Sequence, residues 1–247
     1  MDEKVNQEEN KGIRLNKYIA HCGLCSRRKA ADLVKEGEIK VNGEVEINPS
    51  YFVQDTDVVQ HKKKTLNLEK GIVYYLMNKP RNVITTTSDE KGRKTVMDIV
   101  KPKIKERVYP VGRLDRNTTG LLVITNDGQL AQKLAHPSFE VKKIYHVVCD
   151  KPILKEHIQA IKDGITLEDG DVSVNAVYHI EDKPENEAGI EIHIGRNRIV
   201  RRIFEHFGYS VEQLDRVYYA GLTKKGLPRG WFRPLTEQEV IMLKHFV

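Results

Sequence analysis

Two short segments carry side chains whose types and spacing could do chemistry. The first is Gly112-Arg113-Leu114-Asp115-Arg116-Asn117-Thr118-Thr119-Gly120, which runs directly into the apolar stretch Leu121 to Thr125. A carboxylate between arginines, on a polar loop held by a buried strand, is a common setting for a binding or catalytic group. A lone loop Asp more often caps a turn, so Asp115 needs support from elsewhere in the chain. The second segment, Gly195 to Phe204, puts Arg196, Arg198, Arg201 and Arg202 within seven residues and contains no acid. Their mutual repulsion calls for an anion, either nucleic-acid phosphates or a buried carboxylate. Helical spacing brings Arg198, Arg201 and Arg202 near one another while Ile199, Ile203 and Phe204 face inward.

Other chemistries fit poorly. Asp115 and Asp127 flank an extended stretch that separates them by about 20 Å, whereas carboxylates in a two-metal site converge on ions about 4 Å apart. The chain has no His-Glu-x-x-His pattern, phosphate-cradling glycine loop or nucleophile elbow, and no metal is expected. Cys22 and Cys25 have the spacing of half a zinc or redox site, but no second such pair follows, so both are expected to be packing residues. Three cysteines are too few for a disulfide framework and fit a reducing cytoplasm.

A third cationic group, Arg27-Arg28-Lys29, follows Ser26, a residue suited to cap a helix. Cations in a first helical turn oppose the macrodipole, so helix stability did not select them. They are either a phosphate-contact site or solvated surface charge. The chain as a whole has 41 Lys and Arg against 35 acids in 247 residues. The excess is local: seven basic against three acidic residues from Ile13 to Lys40, and nine against three from Arg196 to Arg233. A polyanionic partner is the natural reading. With 39% hydrophobic and 31% charged residues the composition is that of a globular protein. There is no apolar run of about 18 residues and no basic, then apolar leader at the N-terminus, so neither a membrane span nor secretion is expected.

The elements that must position these groups fall into two blocks. Residues 1–11 read as a frayed tail. Leu15, Ile19 and Cys22, then Ala30, Leu33 and Val34, have helical spacing on either side of Gly23. Ile39-Lys40-Val41 and Glu44-Val45 flank Asn42-Gly43, the dipeptide of a tight hairpin. A helix-helix-hairpin unit over 12–60 is expected, then a basic linker at 61–70, then a second domain over 71–247. In that domain Ile72–Met77, Val83–Thr86, Leu121–Thr125, Ile144–Val148, Val172–Val177 and Ile190–Ile194 read as strands. Gln129–Ala135, Leu154–Asp163, Ile199–Phe207 and Glu237–His245 read as helices. Their irregular interleaving predicts an α+β domain around a mixed, largely antiparallel sheet.

The run Arg14-Leu15-Asn16-Lys17-Tyr18-Ile19-Ala20, with Ser26 to Ala30 and Ile39 to Gly43, resembles the S4 RNA-binding domain. Lys79-Pro80, Gly112 to Gly128, His136-Pro137, Lys143-Ile144-Tyr145 and Gly195 to Phe204 together resemble the RsuA/RluB group of bacterial ribosomal RNA pseudouridine synthases, which carry an N-terminal S4 domain. The resemblance implies that Asp115 is the essential aspartate, Tyr145 packs against the target base, and Arg201 pairs with Asp115. It further implies RNA contacts from Arg14, Lys17, Arg27, Arg28, Lys29, Arg113, Arg116, Arg196, Arg198 and Arg202. The expected partner is ribosomal RNA, 23S in the first instance, free or in an assembling large subunit; a cofactor is not expected, and the active form is expected to be a monomer. Two alternatives stand beside this reading: the same reaction on 16S RNA, and an inactive S4-type RNA-binding protein. The joint presence of Asp115, Tyr145 and Arg201 argues against the second.

Overall fold

The computed structural model describes residues 12–69 and 71–245, and the chain divides into two units, 1–72 and 73–247. The expected tail at 1–11 lies outside the described residues.

In the first unit, helix Leu15–His21 buries Leu15 and Ile19, and helix Arg27–Lys35 buries Ala30, Leu33 and Val34. Helical spacing thus delivers one apolar face from each helix to a shared core. Ser26 caps the second helix by accepting from the Lys29 amide at 3.2 Å. Strands Ile39–Val41 and Glu44–Val45 pair antiparallel across Asn42 (φ 54°) and Gly43 (φ 88°), the doubly left-handed turn that a two-residue hairpin needs.

Residues 61–69 depart from the linker expected over 61–70. Strand Val59–His61 pairs with Lys64–Thr65 around Lys62 and Lys63, at φ 47° and 65°. Leu66 is buried in the small core and its carbonyl accepts from the Tyr18 hydroxyl at 3.1 Å. The run of lysines concealed this hairpin because its turn uses no glycine and its last strand spans two residues. Cys22 packs against the same core, and burial beside Glu69 pushes its thiol up to about 12, which disfavours the thiolate that a zinc site requires.

The second unit is built on a nine-stranded sheet. Its main path runs Ala176–His179, Glu187–Ile192, Lys143–Cys149, Val211–Tyr219, Thr118–Thr125, Tyr74–Lys79, Phe232–Pro234. Neighbours on this path pair antiparallel, except that 118–125 and 211–219 run parallel. Leu122 and Ile124 enter one apolar cluster and Leu121 and Val123 another, so the 118–125 strand is covered on both faces. That explains why its sequence is a continuous apolar run rather than an alternating one. The helices are Val96–Val100, Gly128–Ala135, Lys155–Asp163, Ile199–Glu205 and Glu237–His245, so the four expected helices are present within a residue or two. The short fifth was missed although Thr95 and Asp98 form a capping box.

Two strand expectations need correction. Val83–Thr86 makes only an isolated bridge, Ile84 to Thr95. Pro80 and left-handed Asn82 (φ 64°) turn the chain away from the sheet before the run begins. Val172–Val177 is divided between a separate hairpin, Ile165–Leu167 with Gly170–Val172, and the sheet strand 176–179.

At Gly120, which faces Arg216 across the parallel pair, there is no room for a side chain. At φ 106° a Cβ would lie 2.3 Å from the Arg216 carbonyl oxygen and 2.5 Å from its amide nitrogen. Gly120→Ala is expected to destabilise the protein by about 3–5 kcal/mol, adding backbone strain to a forced separation of two central strands. Gly112, also at positive φ but with open space around it, should lose about 1 kcal/mol on the same change. Urea unfolding of the two variants checks this; equal losses would show that the close approach is not what selects glycine.

Candidate active site

The loop carrying Asp115 is fixed from beneath by a residue to which sequence reasoning gave no role. Lys79, at the end of the 74–79 strand, is fully buried. Its Nζ donates to the carbonyl oxygens of Thr118 (2.8 Å), Asp115 (3.1 Å) and Pro80 (3.1 Å), with Arg116 O at 3.4 Å. Burial lowers its pKa to about 8; Asp115 opposes that shift and Arg229 adds to it. A cationic hub of this kind gathers backbone carbonyls that would otherwise be under-satisfied and sets the loop's curvature. Thr85, in the segment misread as a strand, holds the other side: its Oγ1 donates to Leu114 O at 2.8 Å and accepts from the Leu114 amide at 3.2 Å. The Asn82 amide donates to Arg116 O at 2.8 Å. Thr119, just past the loop, donates to Asp215 Oδ1 at 2.7 Å. Burial pushes the Asp215 carboxyl up, but Arg229, Lys224 and Thr119 outweigh it and bring the pKa down to about 2.

Asp115, half-buried, opens into a cavity of about 280 Å³, near the lower end of small-ligand pockets. Tyr145, from the 143–149 strand, lines the same cavity and is 8% exposed. Arg113, Arg196 and Arg198 stand around it, and Leu214, Val200 and Ile192 supply apolar wall. Asp115 is the sole acid among the lining residues. Asp127 has a different task, capping helix 128–135 through the Gln129 and Leu130 amides and accepting from the Tyr74 hydroxyl at 2.7 Å.

Arg201 departs from the implied pairing. It is 6% exposed and does not line the cavity. Nη1 donates to Val211 O at 2.6 Å, while Nε and Nη2 have no partner. No ion pair joins it to Asp115 among the described residues, although Asp115 raises its pKa against the lowering by burial and Arg198. The guanidinium is anchored at the start of the 211–219 strand instead, because helix 199–205 packs its buried face there.

The rest of the arginine run is compensated by carboxylates rather than left open. Arg202 forms a fork to Asp169 at 2.6 and 2.9 Å, Arg196 lies 3.7 Å from the same carboxylate, and Arg198 pairs with Glu205 at 3.2 Å. Sequence reasoning missed Asp169 because it sits on the 165–172 hairpin, distant along the chain. Exposed pairs of this kind contribute about 0–1 kcal/mol, so they can be exchanged for phosphate contacts. Arg113 and Arg116 are exposed, and neither forms an ion pair among the described residues. In the small unit Arg27, Arg28 and Lys29 are exposed, Arg14 lies 5.7 Å from the Phe52 ring centroid and Lys17 is half-exposed.

A carboxylate that shares a cavity with an aromatic side chain and several arginines, in a chain that also carries a basic helix-pair module, suits chemistry on a nucleic acid. The chain belongs to the RNA pseudouridylate synthase family, whose pattern matches residues 73–206, and it carries an S4 domain at 13–59. It is 44% identical over 234 residues to the ribosomal large subunit pseudouridine synthase B of Bacillus subtilis (strain 168), covering 94% of this chain and 95% of that protein. It is 34% identical to the dual-specificity RNA pseudouridine synthase RluF of Escherichia coli (strain K12), covering 94% of this chain and 78% of that one. A crystal structure of a pseudouridylate synthase superposes with a TM-score of 0.67 at 27% identity, covering 94% of this chain and 99% of that one.

Proposed function

We propose that this protein converts one uridine of large-subunit ribosomal RNA to pseudouridine, with Asp115 as the reacting carboxylate and Tyr145 as the platform for the flipped base. The observation that carries the reading is the placement in one cavity of Asp115, on the loop that leads into strand 118–125, and Tyr145, on strand 143–149 of the same sheet. A uridine in a stacked helix cannot reach a recessed carboxylate, so the nucleotide has to leave its stack and rest against an aromatic face. The reaction breaks the N1–C1′ bond, turns the base and joins C5 to C1′. It changes no oxidation state and loses no group, so an ionised carboxylate acting as nucleophile or base suffices. Arg201 acts as a positioning residue, with two buried nitrogens available to a carboxylate that shifts on RNA binding. The active form is proposed to be a monomer, and the place of action the cytoplasm, whose reducing conditions suit a chain with three cysteines.

Large-subunit specificity draws on the likeness to the Bacillus subtilis protein. Pseudouridine mapping of both ribosomal RNAs, from cells with and without this protein, tests it. Loss of a 23S pseudouridine on deletion is the expected result. A change confined to 16S RNA would overturn the specificity, and no change in either RNA would overturn the function.

The small domain is expected to contribute mainly phosphate contacts. Replacing Arg27, Arg28 and Lys29 with Ala should weaken RNA binding and flatten the slope of log affinity against log salt, by up to about 0.9 per lost duplex contact. The single-turnover rate at saturating RNA should stay near wild type. An unchanged salt slope would show these cations to be merely solvated.

A further inference from the structure

Strand register brings two further cations onto the face that holds Tyr145. In the pairing of 143–149 with 211–219, Ile144 faces Tyr218 but Tyr145 faces Arg216, so the register slips at Val217. Directly opposed residues on antiparallel strands share a face, as do residues two apart along one strand. Lys143, Tyr145 and Arg216 therefore lie side by side. Without the slip, Arg216 and Tyr219 would fall on opposite faces. With it, the Arg216 guanidinium lies 4.2 Å from the Tyr219 ring centroid, and all four side chains line the cavity of Asp115.

Arg216 is 3% exposed. Its Nε is fixed by donation to Leu121 O at 2.7 Å, and its Nη2 is buried without a partner. Lys143 Nζ donates to His193 O at 2.8 Å, and burial together with Arg216 lowers its pKa to about 8. Neither cation forms an ion pair among the described residues. A buried arginine beside a half-buried lysine, neither with a carboxylate partner, is a costly arrangement, and it persists where an anion arrives during function. The exposed Arg113, at the rim, suits a phosphate. The desolvated pair, set beside the aromatic platform and bordered by Leu214, Val200 and Ile192, suits a nucleobase that becomes negative.

We propose that Arg216 and Lys143 are catalytic residues that stabilise the uracil anion formed when the N1–C1′ bond breaks. This rests on the roles proposed above for Asp115 and Tyr145. In the step, the bonding pair leaves with N1 and spreads to O2 and O4 of the ring. C1′ is taken by the Asp115 carboxylate, or the ribose gives its C2′ proton to that carboxylate. The base turns as an anion, and C5 forms its bond to C1′ either as the Asp115 ester bond breaks and frees the carboxylate, or as the glycal takes its C2′ proton back from Asp115. The proton on C5 is then lost and N1 gains one, so the ring ends neutral. Fixed donors aimed at charge that develops only during reaction need no reorganisation, and each is worth about 10²–10³ in rate.

The test uses the full chain and a ribosomal RNA fragment containing the mapped uridine, prepared with uridine or 5-fluorouridine at that position. Fluorine stabilises the departing base anion but occupies C5, so N1–C1′ scission is read as loss of the intact nucleoside on digestion. Lys143→Met is expected to lower the single-turnover rate at saturation about 100-fold with uridine, with RNA affinity within about three-fold. The loss should shrink several-fold with 5-fluorouridine, and Lys143→Arg should recover much of the rate. Arg216→Lys, which keeps a charge in the central strand, should show the same dependence on the leaving base. Equal losses on both RNAs would reduce the pair to positioning residues and overturn the proposal. Weakened affinity with an intact saturated rate would make the pair a phosphate anchor, which also overturns it. A wild-type protein that leaves uridine unchanged would instead overturn the function itself.

Discussion

Asp115→Asn should form pseudouridine at least about 10⁴-fold more slowly than wild type, in line with losses seen when a reacting side chain is removed. RNA affinity should remain within a few-fold. The amide is nearly isosteric with the carboxylate but is neither a nucleophile nor a base at neutral pH. The loop should also keep its shape, because Lys79, Thr85 and Asn82 hold the backbone of residues 114–118 and none of them bonds to the Asp115 carboxylate. Single-turnover assays at saturating RNA, together with a binding isotherm, read the two quantities separately. Substantial turnover by this variant would remove Asp115 from the chemistry.

Lys79→Met should combine loss of stability with loss of rate. Methionine fills the space of the lysine stem but leaves the carbonyls of Asp115 and Thr118 without their donor. An orphaned buried acceptor costs about 1–3 kcal/mol, so a fall of about 3 kcal/mol in unfolding free energy is expected, measured by urea titration. The loop should then relax outward, and displacement of a reacting group by about 1 Å costs on the order of 10² in rate. RNA binding through the small unit should persist. If the rate fell without any change in stability, Lys79 would be acting on the substrate rather than on the loop. An unaltered rate with the full stability loss would mean that the loop keeps its geometry without the hub.

What sequence alone determined was whatever local periodicity and turn chemistry encode. The helix pair and the Asn42-Gly43 hairpin of the small unit follow from spacing and from a dipeptide that tolerates positive φ at both positions. The apolar run 121–125, and the inward spacing of Ile199, Ile203 and Phe204, placed the core strand and one helix of the large unit. Asp115 stood out because a carboxylate between arginines before a buried strand is an uncommon juxtaposition. Other features are properties of pairs distant along the chain, and local patterns do not encode them. Lys79 entered the resemblance only as part of Lys79-Pro80, and its role emerged once the fold brought the 114–118 loop to it. The arginine run found Asp169 only through packing of the 165–172 hairpin. Arg216 joins Lys143 beside Tyr145 because one strand slips by a residue against its neighbour. Register, close approach and burial of charge are settled by tertiary contact, where the cost of an unpartnered group depends on what the rest of the chain brings to it.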